Sequence, residues 1–499
     1  MTTHPYGELE TRFSRMNALS EAGGVLNWDM ATLMPSGGAD ARSEQLAAIS
    51  VTCHQMMTDP KMAELFEGAE AKRDQLSGWQ AANLAEMRRQ WLHATAVPER
   101  LVEQISRATN RCELAWREAR PASDFQQVKP YLQEVLDLTR EAGQAKAAAL
   151  NLSVYDALLD QFEPGFRSQR IDEIFGRLAQ WLPETLPRVL EAQRAQEPPK
   201  RPEGPFPQAK QEALGRRLMQ AVGFDFDHGR LDVSLHPFCG GVPDDLRITT
   251  RYDESDFTSA IMGVLHETGH ALYERGLPAD WRRQPVGEAR GMALHESQSL
   301  LVEMQACRSA DFIRFMAPIA QETFAGSGPA WAPDNLYRLA TQVEPDFIRV
   351  DADEVTYPAH VILRYRLETA LIAGDMSLDD LPSAWNEGMQ QLLGITPPED
   401  RLGCLQDIHW FDGAFGYFPT YTLGALAAAQ LFEAATAAHP EIPEQLARGD
   451  FTTLLGWLQT NVHGLGSSLD TDTILERATG SKLDETVFQR HIQRRYLDG

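Results

Sequence analysis

FTSAIMGVLHETGHALYER, residues 257–275, is the stretch on which the reading of this chain turns. It reads as a good α-helix and carries His266, Glu267 and His270 in the order HExxH. Residues at i and i+4 lie on one face of a helix, so both imidazoles can reach a single ion. Glu267 is one position along and projects beside the pair, where it can act as general base without being a ligand. Zinc suits this chemistry, because two neutral imidazoles and one carboxylate leave a fourth position open for water. With 13 histidines among 499 residues, chance places such a motif in only about one chain in forty. The bland alternative is two hydrogen-bonded histidines on an amphipathic helix.

A third donor is required. The extended pattern HExxHxxGxxH would put Gly at 273 and His at 276, but Tyr273 and Gly276 stand there, which excludes a third histidine of that kind. A downstream glutamate is the other solution. Glu274 is one turn past His270 on the same helix, too close to fold back, and Glu288 lies in a connection. The segment HESQSLLVE, residues 295–303, reads as a second helix that can pack antiparallel to the first. Spacing favours Glu296 or Glu303 without deciding between them.

Outward from this pair, most of the chain reads as helix. Apolar residues recur every three or four positions across 84–91, 101–116 and 131–150, with breaks expected at Pro98, Pro121 and Pro164. Five prolines between 198 and 207 mark a connection. Residues 231–235 and 246–249 alternate apolar and polar side chains, so a hairpin or small sheet is expected around Gly240, Gly241 and Pro243. The expected fold is mainly α with one small β-sheet.

Acidic residues number 71 and basic ones 46, a net charge of −25. Such an excess repels phosphate backbones and anionic membranes, so no nucleic-acid or membrane partner is expected. There is no apolar run of the ~18 residues a membrane helix needs, and the first residues lack a basic, apolar leader. The chain reads as cytoplasmic. Cys53, Cys112, Cys239, Cys307 and Cys404 are odd in number and contain no CxxC pair, so neither a disulfide framework nor a thiolate metal site is expected.

The motifs together resemble the carboxypeptidase Taq family of metallocarboxypeptidases. HESQS at 295–299 is similar to that family's second zinc motif. His236-Pro237-Phe238 looks like its HPF motif, and 245–249 (DLRIT) like its DxRxT motif. Residues 348–353 (IRVDAD) and 416–421 (GYFPTY) resemble two more, and Trp28-Asp29 with Met34-Pro35 and Gly37-Gly38 also looks familial. The resemblance spans nearly the whole chain. It implies a single catalytic domain over residues 1–499, with a helical part to about 197, the Pro-rich connection at 198–207 and a catalytic part from about 208. It further implies a deep substrate groove, a homodimer, and His266, His270 and Glu296 as ligands of one divalent metal ion per subunit, zinc or cobalt. The activity it implies is broad-specificity release of C-terminal amino acids from peptides, by zinc-activated water with Glu267 as general base.

A carboxypeptidase must recognise a terminal carboxylate, which an arginine fork does best. Arg349 and Arg247 lie in the two matched motifs that carry arginine. Tyr417 and Tyr421 are candidates to stabilise the oxyanion, because Gly416 and Pro419 suggest a fixed loop. His236 and His409 are further candidates, each weighed against a structural role. Asp407 could hydrogen-bond a ligand histidine, and His463 could line the groove. The competing readings are an oligopeptidase or endopeptidase using the same site, and a helical scaffold without activity.

Overall fold

The structure is a computed structural model and describes residues 4–498. Helices dominate, with one three-stranded sheet among the described residues, as the sequence patterning leads one to expect. The chain forms two compact units that alternate along the sequence. The first comprises Met1–Ala94, Pro199–Ala340 and Ala427–Leu483; the second comprises Thr95–Pro198, Thr341–Leu426 and Asp484–Gly499.

In the first unit, the helices Pro5–Thr32 and Lys61–Glu70 carry apolar residues at helical spacing. Tyr6, Leu9, Phe13 and Met16 pack with Met62, Leu65, Phe66 and Ala69 around Leu84 and Met87. Buried Asn83 donates to Tyr6 Oη at 3.1 Å and to Gln284 Oε1 at 3.0 Å, and accepts from the Val286 amide at 3.2 Å. Each of its polar atoms is thereby satisfied away from water.

The sheet contains β1 (Gly229–Val233), β2 (Cys239–Val242) and β3 (Asp245–Thr250), in the order β1-β3-β2. Leu231, Leu246 and Ile248 point to one face and pack with Met219 and Phe224 against Val264 and Ala271 of the helix Phe257–Gly276. This apolar contact seats the HExxH helix on the sheet. The helix starts where the Asp256 side chain accepts the Thr258 amide, an N-cap that satisfies an otherwise orphan donor.

The two expected strands are present, the first shifted to start at Gly229, but they do not form a hairpin with each other. β1 and β3 run parallel, and β2 supplies the antiparallel neighbour of β3. β2 reads CGGV and has no alternation to announce it. Its glycines are what allow it: Gly241 has φ +87, and a Cβ there would overlap the carbonyl oxygen of Asp245.

In the second unit, the helix Glu99–Ala122 lies along the helix Phe125–Leu150, with Val97, Leu101 and Ala142 forming a local core. The break expected at Pro121 falls just beyond that proline. Pro121 occupies the last turn of Glu99–Ala122, and the helix closes two residues later on Ser123, at φ 55. Near a terminus the missing N–H removes one bond, rather than interrupting a ladder. The C-terminal helix Glu485–Tyr496 is fixed by buried Glu354, which accepts from His491 Nε2 and Arg495 Nη1 at 2.8 Å and from Tyr496 Oη at 3.0 Å.

Candidate metal centre and surrounding residues

Glu296 and Glu303 reach the site from a second helix, Gly291–Leu300, which continues as a π-helical turn over Leu301–Cys307. Its contacts with the HExxH helix run in the opposite sense to the sequence. The Arg290 amide meets Tyr273 Oη at 3.1 Å, then His295 meets His270, and Glu303 meets His266. The two helices are therefore antiparallel, as the sequence led us to expect. They touch backbone to backbone at Gly269, where a Cβ would lie 2.5 Å from the Gln298 carbonyl oxygen and 2.6 Å from Ser299 Cα.

That crossing brings His266, His270 and Glu296 together. One donor atom from each lies within 4.8 Å of the other two. Glu296 Oε2 is 3.4 Å from His270 Nε2 and 3.9 Å from His266 Nε2. Two imidazole nitrogens and a carboxylate converging in this way fit a divalent first-row ion. Glu303 lies on the other side of His266, with Oε2 2.9 Å from Nδ1 and Oε1 accepting from Arg308 Nη2 at 2.7 Å. Of the two glutamates that spacing left open, Glu296 faces the Nε2 atoms and Glu303 backs one ring.

The electrostatics are those of a buried charge cluster. Burial resists ionisation of Glu296, but His266 and His270 outweigh it and hold its carboxyl down at about 2. Burial also opposes a charge on His266, yet Glu296 and Glu303 raise it to about 10, whereas burial takes His270 down to about 4. Glu267 is 8% exposed, and burial pushes it up to about 7. A carboxyl so placed can both take and return a proton near neutral pH.

Arg247 and His236 belong to the same unit and lie around the sheet. Arg247 holds Asp245 in a fork, Nε to Oδ1 at 3.0 Å and Nη2 to Oδ2 at 2.7 Å, and covers the Trp28 ring at 4.3 Å. Its register partner Arg230 covers the same ring at 4.8 Å. His236 is exposed in the loop between β1 and β2. His463 is buried, with Nε2 3.0 Å from Gln298 Oε1, and so braces the second helix.

Arg349, Tyr417 and Tyr421 lie in the second unit and gather there. Arg349 directs Nε and Nη2 to Asp407 Oδ1 at 3.2 and 2.9 Å, stacks over Tyr421 at 4.6 Å and donates to Tyr357 Oη at 3.3 Å. Tyr421 Oη is 3.1 Å from His409 Nε2, and the Tyr417 and Tyr421 rings are 5.2 Å apart. Asp407 does not meet a ligand histidine. It accepts instead from Arg349 and from Arg364 Nε at 2.6 Å. Burial resists its charge, but the two guanidiniums hold it well below the usual carboxylate range. Burial lowers Arg364 to about 10.

Arg364 was not picked out from the sequence. The signal was present: an arginine between Leu363 and Tyr365 in a largely apolar helix, Tyr357–Ala373. The sequence reading likewise gives His295 no role beyond its place in the HESQS motif, and excludes Glu274 as a ligand because it stands one turn past His270 on the same helix.

A mainly helical protein that converges two HExxH imidazoles and a glutamate beside a buried carboxyl has the make-up of a metallopeptidase. The chain belongs to the carboxypeptidase Taq (M32) metallopeptidase family, whose model matches residues 8–496. It is 39% identical to thermostable carboxypeptidase 1 of Thermus thermophilus over 97% of both chains, and 34% identical to carboxypeptidase 1 of Bacillus subtilis over 99% of both. Among solved structures, metallocarboxypeptidase 1 of Trypanosoma cruzi superposes with a TM-score of 0.97 at 43% identity, covering 99% of each chain. The M32 carboxypeptidase of Deinococcus radiodurans R1 gives 0.93 at 33% identity, again over 99% of each. The protein is accordingly a metallocarboxypeptidase, and the oligopeptidase alternative finds no support among these relatives.

Proposed function

We propose that the chain, acting as one catalytic domain, removes C-terminal amino acids from peptides with broad specificity, at a divalent ion held by His266, His270 and Glu296. The observation that carries this reading is the convergence of those three donor atoms beside Glu267. When bound, zinc, or cobalt in its place, acts as a Lewis acid and makes water a stronger nucleophile at neutral pH. Glu267 takes the proton from the attacking water and delivers it to the leaving amine. Its near-neutral, buried carboxyl supports both transfers. Tyr417 and Tyr421 serve as hydroxyl donors to the oxyanion.

The terminal carboxylate is assigned to Arg349 and Arg247, with His236 as a further polar contact. Each arginine is already oriented by an aspartate, Asp245 for Arg247 and Asp407 for Arg349, and the Arg247 side chain is the more open, 17% exposed against 6% for Arg349. A homodimer in the cytoplasm, with peptides as substrates, completes the proposal. Among the described residues no helix is long and apolar enough to cross a membrane.

The test is paired digestion of one short peptide with a free and an amidated C-terminus, after metal removal and again after zinc or cobalt is restored. Stepwise, metal-dependent loss of single residues from the free peptide alone is expected, and Glu267→Ala should abolish it. Equal cleavage of the amidated peptide would remove the carboxylate-binding role from both arginines.

A further inference from the structure

The two proposed histidine ligands are backed in different ways. His266 Nδ1 meets the Glu303 carboxylate directly, at 2.9 Å. His270 Nδ1 instead lies 2.7 Å from Nδ1 of His295, whose Nε2 lies 2.9 Å from Glu274 Oε1. The two rings are 4.6 Å apart and tilted by 33°.

The direction of these bonds follows from the inventory of protons. A carboxylate has only lone pairs to offer, so His295 Nε2 carries a proton and donates it to Glu274. A neutral imidazole has one N–H, which leaves His295 Nδ1 bare and accepting. His270 Nδ1 must then be the donor across the 2.7 Å contact. The lone pair remaining on His270 is at Nε2, the atom 3.4 Å from Glu296 Oε2. Neither Glu274 nor His295 is among the three converging donors.

We propose that Glu274 and His295 form a positioning relay that sets the tautomer and ring orientation of His270, so that Nε2 is presented to the metal. This rests on the assignment of His266, His270 and Glu296 as ligands. Glu274 stands one turn beyond His270 on the same helix, which is too near to reach the ion but at the right distance to hold the far side of a ring bridging from the next helix. His295 immediately precedes Glu296, so one helix delivers a ligand and the brace of another ligand in successive residues. Partners of this kind typically govern metal affinity by about 10–100-fold.

Substitution by an amide tests the direction of the bonds. In Glu274→Gln the side-chain NH₂ can donate to His295 Nε2, which reverses the chain and leaves the proton of His270 on Nε2, where it blocks coordination. Zinc affinity of the full-length protein would be read by competition with a chromophoric chelator, alongside the visible spectrum of the cobalt-loaded form and the melting temperature of the chelator-treated form. We expect Glu274→Gln and His295→Leu, which is close to histidine in volume and makes no hydrogen bond, to weaken zinc binding roughly 10–100-fold and to alter the cobalt spectrum. Glu274→Asp should recover part of the affinity, and His270→Ala should lose far more than any of them. If both relay variants bind zinc within about twofold of the parent while His270→Ala does not, the ligand assignment stands and the relay is overturned. A melting temperature lowered without any change in affinity or spectrum would likewise reduce the pair to a structural role. Undiminished zinc binding by His270→Ala would overturn the ligand assignment itself, and the relay with it.

Discussion

Gly269 and Gln298 meet main chain to main chain, with room for no side chain: a Cβ on Gly269 would lie 2.5 Å from the Gln298 carbonyl oxygen. Glu296, two residues before Gln298, is therefore held against the two HExxH imidazoles by an absent methyl group. On helix propensity alone, alanine would stabilise this position by about 1 kcal/mol. Overpacking works against it by roughly 1–3 kcal/mol and displaces the second helix. Gly269→Ala should thus lower stability in urea titrations and weaken zinc binding together. Unchanged values for both would mean the helices can part at this point without moving Glu296.

The two glutamates left open by sequence spacing can be separated by the same measurement. Glu296 faces both Nε2 atoms, and Glu303 backs only Nδ1 of His266 while pairing with Arg308. Glu303→Gln should weaken zinc affinity by about 10–100-fold and leave one equivalent still bindable. Glu296→Gln should cost more than that, since it removes a proposed ligand. An inverted order in chelator competition would exchange the two assignments.

The HExxH helix was legible because its chemistry and its fold are written in one short repeat: i, i+4 spacing serves the helix face and the ion alike. β2 was not legible. Strand patterning depends on side chains, and CGGV has two residues with none; at Gly241 the Asp245 carbonyl leaves no room for one. Asp407 shows a different gap. A ligand histidine is its expected partner, but it pairs with Arg349, 58 positions away, and Arg364, 43 away. Which cation a buried carboxylate finds depends on tertiary packing, and no local period encodes it.

Asp407 makes the second unit vulnerable at one position. Arg364 is fully buried and Arg349 5% exposed, so removing their shared carboxylate leaves two guanidiniums close together without a counter-charge. Breaking a buried pair in this way costs about 3–5 kcal/mol. Asp407→Ala should show a loss of that order in equilibrium unfolding, with reduced yield of folded protein. A loss under about 1 kcal/mol, the range of exposed pairs, would show that water or another carboxylate takes its place.

Glu368 should make stability fall as pH rises toward neutrality. It is fully buried and accepts from Tyr155 Oη at 2.5 Å, from Trp410 Nε1 at 3.0 Å and from the Gly416 amide that leads into Tyr417. Burial outweighs these donors and raises its carboxyl from 4.5 to about 7. The folded state thus binds this proton more tightly than the unfolded state does. The associated stability is complete below about pH 4.5 and is lost as pH rises through about 7, a total on the order of 3 kcal/mol. Glu368→Gln cannot ionise and should show a shallower decline. The parent-minus-variant difference in unfolding free energy should therefore shift against the parent between pH 5 and pH 8, as read from urea midpoints. Parallel curves for the two proteins across that range would mean that Glu368 is ionised in the fold throughout, with its three donors, rather than its burial, setting its charge.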